Sequence, residues 1–90
     1  MLEIGDTLSE QTCQAIRRDI LVVIPDATVE VGGSGGHFTI GVVSDAFEGK
    51  GLLARQRLVY GAIKDLMAGD DAPVHAVDSL STRTLLELRA

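Results

Sequence analysis

Hydrophobic and polar positions follow two different periods along this chain. From His37 onward, Phe38, Ile40 and Val42 share one face against Thr39 and Gly41, and Val43 continues the apolar run. That alternation predicts a half-buried strand. Beyond Ser44-Asp45 and the short segment Ala46–Gly51 the spacing lengthens. Val59, Ile63 and Leu66 then recur every three or four residues, which predicts a helix from about Leu53 to Met67. Upstream, Leu8, Cys13, Ile16 and Ile20 form a broad helical stripe. Thr7-Leu8-Ser9-Glu10 fits a capping box that starts this helix, and Pro25 ends it. Met1–Gly5 carries no periodic signal and reads as a loose lead-in.

The remaining segments complete the order. Thr28–Val31 predicts a short strand, and Gly32-Gly33-Ser34-Gly35-Gly36 predicts a mobile loop to the next, antiparallel strand, because glycine loses most backbone freedom on ordering. Gly61 inside the long helix suggests a close approach by a neighbouring strand. Gly69–Pro73 reads as a turn and Val74–Val77 as a third strand interrupted by His75. A last helix from Thr82 would pack Leu85, Leu86 and Leu88. The order is αββαβα, an α+β domain with a three-stranded sheet and helices packed on one face. Its core is expected over about 7–78 of a single domain spanning 1–90.

Composition narrows the chemistry. The chain has 90 residues, 46% of them hydrophobic, with two Phe, one Tyr and no Trp, so Val, Ile, Leu and Ala must build the core. Its apolar runs are too short to span a bilayer and no secretory signal is present, so a cytoplasmic, membrane-free protein is expected. The single cysteine, Cys13, excludes an internal disulfide and any Cys-x-x-Cys site; in mid-helix it reads as a small buried hydrophobe. The net charge of −5 argues against coating nucleic acid by bulk electrostatics. Yet Lys50, Arg55, Arg57 and Lys64, four of the eight basic residues, lie in one acid-free segment that is either a local positive face or a solvated helix surface.

No arrangement of residues assembles an enzyme: G-x-S-x-G and HExxH are absent, and the acids are scattered. The glycine run is followed by a strand and lacks a Lys-Ser or Lys-Thr pair, which weighs against a phosphate-binding loop. Two histidines remain. Read locally, His37 is equally an exposed loop-end residue, and His75 is by default a satisfied structural histidine.

The succession His37-Phe38, Val42-Val43-Ser44, Phe47-Glu48-Gly49, Arg55-x-Arg57-x-Val59-Tyr60 and Val74-His75-Ala76 closely resembles the BolA family. The resemblance runs from His37 to Val77 and reaches back over the first helix and strand. It implies a fold like the type II KH domain. It also implies an adaptor that shares a 2Fe-2S cluster with a monothiol glutaredoxin and glutathione, in cluster trafficking or iron homeostasis. His75 matches the histidine ligand of the final strand, and His37 matches the second ligand, from the loop between the first two strands. The protein alone is then expected to hold no cluster and to be a monomer or weak homodimer. Phe47 and Tyr60 match positions that pack the helix on the sheet. The family is also described as DNA-binding transcriptional regulators in stress responses, for which Lys50, Arg55, Arg57 and Lys64 would be the contacts. One departure stands out: Ser81–Leu88 lacks the Thr-Pro-x-x-Trp-like pattern usual near the family's C-terminus.

Overall fold

The computed structural model describes residues 7–90; the lead-in over Met1–Gly5 lies outside the described residues. Helix α1 (Thr7–Val23) leads through a Pro25-Asp26 turn to β1 (Thr28–Ser34) and β2 (His37–Val43). A 3₁₀ turn (Asp45–Phe47) precedes α2 (Leu52–Ile63), which tightens into a second 3₁₀ turn (Lys64–Leu66). Strand β3 (Ala76–Arg83) and helix α3 (Leu85–Arg89) follow. The sheet order is β1-β2-β3, with β1 antiparallel and β3 parallel to β2, so α2 forms the crossover.

Helices α1 and α2 cover one face. Val29, Phe38, Ile40 and Val42 of the sheet are buried there with Ile16 and Ile20 of α1, Val59 and Ile63 of α2, and Phe47. The other face carries Thr28, Glu30, Thr39, Gly41, Ser79 and Ser81, the polar or small residues that a solvated sheet face permits. Among the described residues no helix is long and apolar enough to cross a membrane.

Several sequence-based expectations shift. Thr7 lies inside α1 rather than capping it, and Leu8 is 72% exposed; the buried stripe runs Ser9, Thr12, Ile16, Ile20 instead. Thr12 tolerates this because its hydroxyl donates to the Leu8 carbonyl at 3.0 Å. The expected mobile glycine loop is a two-residue hairpin turn, since Gly32, Gly33 and Ser34 extend β1 and only Gly35 and Gly36 are left between the strands. Their φ values, +63° and +84°, are those of the turn that matches strand twist in two-residue hairpins. Strand β3 begins after His75 and runs to Arg83, through the expected start of the last helix. Tyr60 is exposed rather than packed under the sheet. No strand approaches Gly61; a Cβ there would meet nothing within 4 Å.

Helix α3 is fastened by polar contacts, while Leu85, Leu86 and Leu88 stay exposed. Thr84 and Glu87 form a reciprocal capping box, and the Leu85 amide donates to Asp45 Oδ1 at 3.2 Å. Arg55 grips Glu87 with both terminal nitrogens, at 2.6 and 2.9 Å. Its Nε donates to the Lys50 carbonyl at 2.8 Å and one terminal nitrogen to the Thr82 carbonyl at 3.3 Å. The guanidinium also lies 5.8 Å from the Phe47 ring centroid. One side chain therefore joins the α2 corner, the end of β3 and α3.

Two outcomes follow. Gly61→Ala should raise stability by about 1 kcal/mol in denaturant unfolding, because alanine removes the helix penalty where there is room for a methyl group; a loss would contradict the open surface. The Arg55 hydrogen bonds, then the Thr84 amide, hold Glu87 down at about 2 from 4.5. A depressed carboxyl stabilises the fold above pH 4.5 and loses that contribution as pH falls towards 2. The unfolding midpoint of the wild type should therefore drop more steeply over that window than that of Glu87→Gln; parallel curves would contradict the clamp.

Candidate functional site

Both histidines come to one end of the sheet, and the backbone puts them there. The Gly36 carbonyl accepts from the amides of His75 (2.8 Å) and Ala76 (3.0 Å), joining the hairpin turn to the start of β3. Val74, buried at 1% exposure, anchors the segment from the other side, and its amide donates to the Leu66 carbonyl at 3.1 Å. His75 is thus held between a core residue and a strand, while its side chain stays exposed. It was expected within the third strand; it sits just before it, because the ladder begins at the His37–Ala76 pair.

His37 is the first residue of β2. Its Nδ1 lies 3.1 Å from Asp78 Oδ1, and both side chains are more than half exposed. The pleat then separates the two imidazoles. His37 precedes the inward Phe38 and stands with Asp78 at the solvated face. His75, one residue before the ladder, donates its amide to the Gly36 carbonyl and packs its ring against that glycine. It lines an open cleft of about 590 Å³ with Ser9 and Thr12 of α1 and Asp70, Asp71 and Gly36. The rings therefore flank one sheet end from its two sides.

Gly36 has no room for a side chain. Its φ is +84°, and a Cβ would collide with the His75 ring. The glycine run marked this place in the sequence, but not which glycine touches a histidine. Asp78 was missed altogether: it is an isolated acid in sequence, and only the register of β3 against β2 brings it to His37.

Other candidates separate. Cys13 is half-buried on α1, where it packs against the core and shares a groove with Val31, Gly32 and Gly33; burial pushes its thiol up. Among the described residues no group of three His, Cys, Asp or Glu stands ready to hold a metal ion. Of the four basic residues in the acid-free segment, Lys50, Arg57 and Lys64 are exposed. Arg55 is largely engaged: its side chain is 12% exposed, and four of its five N–H donors go to Glu87 and two carbonyls.

The profile described as BolA-like protein matches residues 14–87. The fold is similar to a BolA protein homologue from Coxiella burnetii, 35% identical, at a TM-score of 0.71 covering 86% of this chain and 95% of that one. A protein of the rpoN-murA intergenic region of Acinetobacter guillouiae is 36% identical over 69 residues, 77% of this chain and 76% of its own length. BolA-like protein 1 of Bos taurus is 46% identical over 52 residues, which cover 58% of this chain and 36% of that protein.

Gly36→Ala should cost about 1–3 kcal/mol in unfolding, from the positive φ alone, and should move the His75 ring resonances. Gly35→Ala, equally left-handed but with open space around it, should leave the His75 resonances in place. The same shift in both variants would contradict the Gly36–His75 contact.

Proposed function

This chain belongs to the BolA-like protein family, and from that premise we propose that it is a non-enzymatic adaptor which shares a 2Fe-2S cluster with a monothiol glutaredoxin. The observation carrying this reading is the convergence of both histidines on one exposed sheet end through the Gly36 carbonyl. His75 and His37 are the proposed ligands from this chain. The donor chemistry suits a shared centre rather than a resident one. Iron–sulfur clusters depend mainly on thiolates, and the sole cysteine here is half-buried elsewhere, so the partner and glutathione must supply them.

The two sides of the sheet end divide the work. His75, backed by Gly36 and Val74, is the fixed donor. His37 is the second donor at the same strand end, and its ring is more than half exposed. A neutral imidazole is required of each, so sharing weakens as the medium becomes acidic. Imidazole in place of thiolate at one iron also raises the reduction potential.

The alternative, a DNA-binding regulator using the α2 face, loses Arg55 and keeps Lys50, Arg57 and Lys64. The solvated sheet face offers no Phe, Tyr or Trp for stacking bases. The adaptor reading is therefore preferred.

Anaerobic addition of this protein to cluster-loaded monothiol glutaredoxin, followed by visible absorption and circular dichroism, tests it. A new spectrum should saturate near one equivalent, vanish with His75→Ala and weaken or change shape with His37→Ala. A spectrum unaltered throughout the addition would reject cluster sharing.

A further inference from the structure

Strand β3 carries one residue more than β2 opposite it. The register passes from Phe38–Val77 directly to Thr39–Ser79, leaving Asp78 without a partner in the ladder. Bulges of this kind re-aim a side chain, and are over-represented next to active sites. Here the residue released is an acid, and the group it meets is Nδ1 of His37.

We infer that Asp78 is a positioning residue which fixes His37 with its proton on Nδ1 and presents Nε2 as the free lone pair. The chemistry of the pair requires it. An ionised carboxylate only accepts hydrogen bonds, so the ring nitrogen facing it at 3.1 Å must be the donor. A neutral imidazole carries one proton; with that proton on Nδ1, the lone pair lies on Nε2. An exposed histidine without such a partner prefers the opposite tautomer and rotates freely. A carboxylate behind a ligating imidazole is the arrangement that orients metal-binding histidines and raises their basicity. The two imidazoles are thus prepared differently. His75 is set by backbone bonds and the Gly36 contact, its ring without a hydrogen-bond partner among the described residues, and His37 is set by a side chain that the bulge delivers.

The inference rests on the adaptor reading only for what Nε2 binds; the tautomer is a property of this chain alone. The test is therefore made first on the cluster-free 90-residue chain, by nitrogen-15 spectra of the imidazoles in alkaline solution. His37 should show a protonated Nδ1 and a pyridine-like Nε2. Asp78→Ala should move it to the Nε2-protonated or averaged form while His75 stays unchanged. Asp78 is half exposed and outside the ladder, so the fold should survive, and Asp78→Asn, which keeps the shape, should fall between. An Nε2-protonated His37 in the wild type, or a tautomer indifferent to Asp78→Ala, overturns the inference. In the second arm, cluster-loaded glutaredoxin should bind the Asp78→Ala protein about 10–100-fold more weakly. Equal affinity there would show that the carboxylate positions nothing the cluster uses and overturns its role as well. Failure of the wild type to form a mixed cluster would instead strike the adaptor reading and leave the tautomer result standing.

Discussion

The carbonyl of Gly36 is the point on which the histidine-bearing end of the sheet depends. It accepts two amides from the segment entering β3, so the hairpin turn and a stretch some forty residues later in sequence are brought to one place. Glycine is required twice over, by a φ of +84° and by the His75 ring lying where a Cβ would stand. With the turn so tight, β2 begins at His37 itself and β3 at the residue after His75. The register of two strands, rather than a loop that swings, decides where both imidazoles can be.

Arg55 does the corresponding work at the opposite end. Carbonyls of Lys50 and Thr82, the carboxylate of Glu87 and the face of Phe47 surround one guanidinium, whose planar fork can address them together. This explains how a five-residue helix with three exposed leucines stays attached without an apolar anchor. It also divides the Arg55-x-Arg57 pair into a structural and a solvent-facing member, although their spacing in sequence looks equivalent. The basic face of α2 is consequently smaller than its composition suggests.

Elements with one buried face were legible in the sequence. The β2 alternation, the α2 stripe and the stop at Pro25 follow from periodicity and proline stereochemistry, and they fix the α+β order. What escaped has physical reasons. Strand β3 was read too short because Ser79, Ser81 and Arg83 face an uncovered side of the sheet and leave only Val77 and Leu80 as inward apolar signals. The last helix, expected from Thr82, starts only at Leu85, where Thr84 and Glu87 cap it. The glycine run read as mobile because composition cannot tell a loop from a strand that ends in a two-residue turn. His37 and His75, singled out through the resemblance, lie at one end of the sheet on its two sides, whereas Asp78 depends on a bulge that no local pattern announces.

The central claim is that two imidazoles of this chain meet the same iron. Electron spin echo spectroscopy of the reduced mixed cluster, with nitrogen-15 histidine incorporated only into this protein, tests it most directly. The account predicts two nitrogen couplings from this chain, one of them lost with His37→Ala and both absent when His75 is replaced and no mixed cluster forms. A mixed cluster that shows no nitrogen coupling from this protein would contradict it.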